Sequence, residues 1–216
     1  IVTNDIPSVY IEDSVETAID IMERFNVQHL PLLLADKTYL GLLSYELLNS
    51  IAIPDSLKHF ENAPLFKPAV HENDFPYKAI ELMANYNLSV LPILNESEKL
   101  IANINEQDLF LFLTQNSGLS HKGGIIVLHI KPFNYSLAEI ARICETNDVL
   151  ILNVQIKETK DNEFMQVIIK TNTKDLSAVL ATFERYEYDA FAFGIDNMND
   201  DTFQKRYDML MKFLNI

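Results

Sequence analysis

Apolar positions along this chain follow two rhythms, and the first occurs twice. From Val15, apolar residues recur at Ala18, Ile19 and Met22, the i, i+3, i+4, i+7 spacing of an amphipathic helix. Asp13-Ser14 stands where a helix cap belongs, and Asn26 ends the stripe. Leu30 to Leu34 is a continuous apolar run, short enough for a strand buried on both faces. Ala35 to Thr38 predicts a turn, Tyr39 to Leu43 a second strand, and Ser44 the start of a helix to about Ser50. The same plan returns 61 residues later. Asp74 is the expected cap, and Pro76, Ala79, Ile80 and Met83 form the stripe. Leu91–Leu94 and Leu100–Ile104 are the strands, and Asn105 opens a helix through Thr114. Between Pro7 and Leu48, 11 of 42 positions are identical at this offset, against about three by chance. A repeat of this kind fixes the organisation of the first half.

The second rhythm starts after a polar, Gly-containing linker at 115–123. Ile125–Ile130 reads as a strand, and Ser136–Thr146 as a helix with Leu137, Ile140, Ala141 and Cys144 on one face. Val149–Lys157 and Phe164–Thr171 read as a hairpin turning at 160–163, the second strand alternating between faces. A helix over 175–186 and a strand over 189–193 complete βαββαβ. From Asn199 onward, Phe203, Tyr207, Leu210 and Phe213 predict an amphipathic C-terminal helix. The expected domains are 1–115 (units 1–50 and 62–115), 122–193, and a tail over 194–216.

Composition narrows the function. Hydrophobic residues make up 48% of the 216, enough for real cores, and no apolar run approaches a membrane span. No targeting segment is expected in them. A net charge of −14 with no basic run argues against nucleic acid as a partner. The single cysteine, Cys144, cannot form an internal disulfide, which suits a cytoplasmic, reducing location. It lies in an apolar stripe and reads as buried and inert. No phosphate-binding GxxxxGK[ST], HExxH or GxSxG motif is present, and no activated nucleophile, so an enzyme is not expected. His71, Glu72 and Asp74, and His59 with Glu61, read as solvated loops rather than metal ligands.

The repeat resembles a tandem pair of CBS (cystathionine-β-synthase) domains. The residues carrying the resemblance are Ala18/Ala79 and Met22/Met83, the Leu-Pro pairs at 30–31 and 91–92, and Gly41-Leu-Leu-Ser44 or Ala102-Asn-Ile-Asn105 before the last helix. The 122–193 segment resembles an ACT domain, and the whole resembles bacterial CBS–ACT proteins of the acetoin-utilisation group. The fold class implied is α+β: two β-α-β-β-α units about a pseudo-twofold (a Bateman module), a ferredoxin-like ACT domain, and the C-terminal helix. The resemblance implies a non-catalytic regulatory protein that forms homodimers, acts on an unidentified target protein and requires no cofactor. It also implies an adenosine compound (AMP, ADP, ATP or S-adenosylmethionine) in the cleft between the units.

The ligand signature in such pairs is Gly, two apolar residues, Ser or Thr, two variable residues, then Asp. A carboxylate can accept hydrogen bonds from both ribose hydroxyls, and a helix start receives phosphate. The second unit keeps Asp108 but has Ala102 and Asn105 in place of Gly and Ser. The first keeps Gly41 and Ser44 but has Leu47 at the Asp position. Candidate contacts are therefore Asp108 and Asn105, with Val70, Leu88, Ser89, Val90, Leu91 and Pro92. Asn105-Glu-Gln-Asp108 also reads as a capping box that needs no ligand. In the ACT-like segment Tyr135 stands where amino-acid-binding relatives have Gly, which argues against a backbone-lined amino-acid pocket and favours sheet-to-sheet dimerisation as its role over amino-acid binding.

Overall fold

The duplicated pattern folds into duplicated structure. In the computed structural model, which describes residues 6–50, 56–158 and 163–194, the first copy comprises β1 (Val9–Tyr10), α1 (Val15–Phe25), β2 (His29–Leu33), β3 (Tyr39–Ser44) and α2 (Tyr45–Ser50). The second comprises β4 (Val70–His71), α3 (Pro76–Tyr86), β5 (Val90–Leu94), β6 (Leu100–Asn105) and α4 (Glu106–Asn116). Each copy forms a three-stranded sheet in which the first strand runs parallel to the second and the second antiparallel to the third. The expected C-terminal helix from Asn199, the centre of the 160–163 turn and the Pro54-Asp55 break lie outside the described residues.

Matched positions do matched work. Asn26 and Asn87 both end their helices in the left-handed conformation, at φ 52° and 50°. Lys37 and Glu98, also 61 apart, take φ 70° and 58° in the two hairpin turns. Asp13 Oδ2 accepts from Tyr10 N–H, and Asp74 Oδ2 from His71 N–H, both at 2.8 Å. This corrects the expectation of Asp74 as a cap. It closes the turn before the helix, while the N-cap position is Phe75 without a side-chain bond. Pro76 has no N–H to satisfy there, so less is lost. In the first copy Ser14 Oγ does cap, accepting from Thr17 N–H at 3.0 Å.

The copies interlock along a seam about a pseudo-twofold. At one end the hairpin turns pair. Tyr39 N–H donates to Glu98 O (3.1 Å), Leu100 N–H donates to Lys37 O (3.0 Å), and Lys99 Nζ meets Asp36 Oδ2 at 3.0 Å. At the other end Ser89 Oγ accepts from Gln28 N–H (2.8 Å) and His29 N–H (3.1 Å). The cores cross the seam too. Val90 packs into the cluster of Met22, Leu30 and Leu43, while Leu33, Tyr39 and Leu42 pack with Met83, Leu91 and Leu94. Neither copy buries its apolar face with its own residues alone.

The chain divides into two compact units, 1–113 and 114–216. In the second, β7 (Ile125–Ile130), α5 (Leu137–Glu145), β8 (Ile151–Glu158), β9 (Met165–Thr171), α6 (Ser177–Arg185) and β10 (Asp189–Phe193) form βαββαβ. The antiparallel sheet has the order β10-β7-β9-β8, the split β-α-β arrangement. Ile126, Leu128, Val167 and Ile169 point from the sheet to Ile140, Cys144, Val179 and Phe183 of the helices. Ser136 Oγ caps α5, accepting from Glu139 N–H at 3.3 Å.

Candidate functional site

The strand-to-helix corner from β6 into α4 holds the strongest sequence candidates. β6 ends at Asn105, whose backbone leaves the sheet as α4 begins, so the first N–H groups of the helix need acceptors. Asn105 Oδ1 accepts from Asp108 N–H at 2.9 Å, and Asp108 Oδ2 accepts from Asn105 N–H at 3.1 Å. This is a reciprocal capping box. Asp108 is fully buried, at 0% exposure.

One step back along β6, Asn103 is buried at 5% exposure. Its Nδ2 donates to Ile6 O (2.8 Å) and Ser8 Oγ (2.9 Å), tying the N-terminal arm to the second copy's sheet. Its Oδ1 is buried without a hydrogen-bond partner, an arrangement that costs about 1–3 kcal/mol. The matched residue of the first copy is Leu42, which has no polar atom to satisfy. The first copy's corner is thus apolar where the second is polar. There Ser44 Oγ accepts from Leu47 N–H at 3.1 Å, and Leu47 packs against the core.

Of the remaining expected contacts, Val70, Leu88, Val90, Leu91 and Pro92 are buried in the interlocked cores. Ser89 is part of the seam. Beside it, His29 Nδ1 accepts from Ser89 N–H at 3.2 Å, and burial holds the imidazole below its ordinary pKa. Tyr39, 1% exposed, donates to Pro68 O at 3.1 Å, and burial pushes its phenol upward. A cavity of about 130 Å³ in the second copy is lined by Val70, Asp74, Phe75, Ile104 and Leu109, among others. Ligand pockets ordinarily span roughly 300–1,000 Å³, and Asp108 and Asn105 do not line this one. The structure therefore gathers Asn105 and Asp108 at one corner and distributes the other candidates through core and seam.

The second unit contains a larger cavity, of about 500 Å³, that no sequence motif announced. It lies between the end of β7 and the turn before β10, lined by His129, Lys131, Phe133, Glu139, Tyr188 and Asp189 among others. Tyr188 donates to Glu139 Oε2 at 2.8 Å. Burial and the Glu139 carboxylate push its phenol up to about 12. The visible signal was the Pro132-Phe133-Asn134 break, which leaves Phe133 79% exposed on a polar rim. Tyr135 adopts an ordinary extended backbone and packs against the core. Cys144 is fully buried, and burial, with the charge of Glu145, pushes its thiol up to about 11. Among the described residues, no group of three or more His, Cys, Asp or Glu could hold a metal ion, and no helix is long and apolar enough to cross a membrane.

Residues 1–48 and 65–114 match the CBS domain family model. These two stretches, which are the two copies described above, form a tandem CBS domain pair. Solved structures with a similar fold include a CBS domain pair/ACT domain protein from Thermotoga maritima. It is 22% identical, with a TM-score of 0.47, over 53% of this chain and 93% of that one. CBSX2 in complex with AMP is 20% identical, with a TM-score of 0.42, over 50% and 87%. A CBS domain pair in complex with 5-methylthioadenosine and S-adenosyl-L-methionine is 15% identical, with a TM-score of 0.40, over 50% and 91%.

Proposed function

We propose that this chain is a non-catalytic regulatory protein whose CBS pair senses an adenine nucleotide or an S-adenosyl compound. The site proposed is the corner made by Asn105 and Asp108 in the second copy. The observation that supports it is the asymmetry of the repeat. Asn103 and Asp108 put polar groups at the β6–α4 corner, while the first copy has Leu42 and Leu47 at the matched places and keeps a polar Ser44 opposite Asn105. A fold that tolerates leucine at both places does not need Asn103 or Asp108 there in order to form. Binding would require the Asp108 carboxylate to exchange its Asn105 N–H partner for ribose hydroxyls. Ligand arrival would then act directly on the first turn of α4. The 122–193 segment is proposed as an ACT-like domain, the protein as a bacterial, cytoplasmic one, and its working form as a homodimer.

Calorimetric titration of the folded protein with adenosine, AMP, ADP, ATP and S-adenosylmethionine tests the proposal. At least one should bind, Asp108→Ala should weaken that binding tenfold or more (about 1.4 kcal/mol), and Leu47→Ala should leave it unchanged. Silence from all five would overturn it.

A second reading is favoured by the complete burial of Asp108 within its capping box. On it, the protein is a dimeric assembly module whose pockets have closed. Its melting temperature would then ignore all five compounds, whereas a ligand at a hundred times its dissociation constant adds about 2.7 kcal/mol.

A further inference from the structure

The sheet of the second unit has two faces, and α5 and α6 both pack on one of them. Ile126, Leu128, Val167 and Ile169 turn toward those helices, so the alternate residues of each strand turn the other way. Register sets these in rows across the sheet. One row reads Phe193, Ile125, Lys170, Asn153, and the next Phe191, Val127, Ile168, Gln155. The apolar members gather toward β10 and the polar ones toward β8. Val127 is 6% exposed, while Phe191, Phe193, Ile125 and Ile168 are only partly buried. The Phe191 ring lies 5.6 Å from that of His129 on the same face.

An apolar patch set off centre suits a cover that arrives from the nearby edge. β10 is an edge strand, and directly after it Gly194, at φ 72°, turns the chain out of the sheet. The sequence continues through 195–216, outside the described residues. There Asn199-Asp200-Asp201 reads as a cap, and Phe203, Tyr207, Leu210 and Phe213 form an apolar stripe that needs a surface. The dimensions agree. Residues 195–201 reach about 23 Å when extended, enough to bring the chain back over Phe193. A helix of some fifteen residues is about 22 Å long, and a six-residue strand such as β7 about 20 Å.

We infer that residues 202–216 lie as a helix across the open face of this sheet, with their apolar stripe on Phe191, Phe193, Ile125 and Val127. Charge selects this segment over a second copy. Within 202–216, Lys205, Arg206 and Lys212 outnumber Asp208, while the chain as a whole carries −14. A basic helix is drawn to an acidic body, whereas two whole copies repel. Tethering acts in the same direction. A segment joined to β10 by a short connection meets the face at an effective concentration in the millimolar range, and a second copy meets it only at its own concentration. The inference goes beyond the regulatory reading above. With this face covered from within the chain, the sheet has no open side to set against a second sheet, and the homodimer uses other surfaces.

Tryptophan fluorescence tests it, because the chain has no tryptophan of its own. Phe191→Trp in the full chain sets one indole beneath the inferred helix. It is compared with the same chain carrying Leu210→Asp and Phe213→Asp as well. The expected result is a blue, poorly quenched emission that moves to the red when the tail is substituted. Acrylamide quenching should rise severalfold while the cooperative urea transition is retained. Emission and quenching that ignore the tail substitutions would overturn the inference, as would an indole already open to acrylamide beside the native tail. Protection lost on dilution would overturn it too, by assigning the face to a second copy. Should Phe191→Trp fail to fold, Phe193→Trp on the same face carries the comparison. Should the doubly substituted tail prevent folding, Leu210→Ser alone replaces it, with a smaller shift expected and no shift counting against the inference.

Discussion

Single residues carry the difference between the two copies. At His29, the matched residue is Val90, so the imidazole is an addition to one side of the seam. Its Nδ1 accepts the Ser89 N–H, which a protonated ring could not do. Burial lowers its pKa from the ordinary 6.5. The unfolded chain therefore takes up a proton near 6.5 while the folded chain takes it up at lower pH. The stability this group contributes is present above pH 6.5 and is lost as pH falls through the folded value. His29→Gln should flatten that part of the profile, measured as urea stability from pH 7.5 to 5; an unaltered slope would locate the titration elsewhere. None of this was legible in the sequence, because the hydrogen bond joins residues 60 apart. The Asn105–Asp108 box was legible as one of two readings, since both partners lie within one helical turn. What the sequence left hidden was the burial of Asp108 and the orphaned oxygen of Asn103, which depend on contacts far apart in the chain, such as that of Asn103 with Ile6 and Ser8.

Elements were the most legible level, because apolar spacing and turn chemistry are local. The helices of both copies and the strands β2, β3, β5 and β6 fall within a few residues of where periodicity places them, whereas the two-residue strands β1 and β4 are too short to show a period. The helix-ending asparagines were readable because Asn tolerates the left-handed conformation. Lys37 and Glu98 were not, since their positive φ is imposed by the paired turns rather than by residue type. Gly41 shows the same contrast. At φ 155°, an added Cβ would overlap Leu65 Cβ and stand 3.1 Å from Phe66 O. The matched Ala102 is not among the positive-φ residues. Gly41→Ala should cost about 1–3 kcal/mol through overpacking, and Ala102→Gly only about 0.5–1 through backbone entropy. Chemical denaturation of both variants checks the pair, and equal costs would deny the asymmetry between these strands.

The whole of the first unit should unfold as one. Val90 sits in the first copy's core, and Leu33, Tyr39 and Leu42 sit in the second's. Leu43→Ala and Leu91→Ala, each removing a fully buried side chain, should therefore lower the same transition by about 2–5 kcal/mol. Hydrogen exchange resolved by residue would show protection falling in both copies for either variant. Loss confined to the mutated copy would make the two independent. The duplication itself was readable as a pseudo-symmetric pair, but the exchange of core residues was not, because matched apolar positions look alike whichever sheet they fill.

The crossing of the seam bears on how such a chain can be cut and rejoined. The stretch around Leu65–Pro68 belongs by order to the second copy, yet Phe66 O accepts from Leu42 N–H and Pro68 O from Tyr39 of the first. The N-terminal arm returns the exchange through Asn103. Each half thus wears its sister's sleeve, and the peptide link between them serves as a tether that sets a high effective concentration. Severed from that tether, the second half would find no equal in another molecule of itself, because Ser97 and Val90 stand where Lys99 and Ser89 now meet Asp36 and His29.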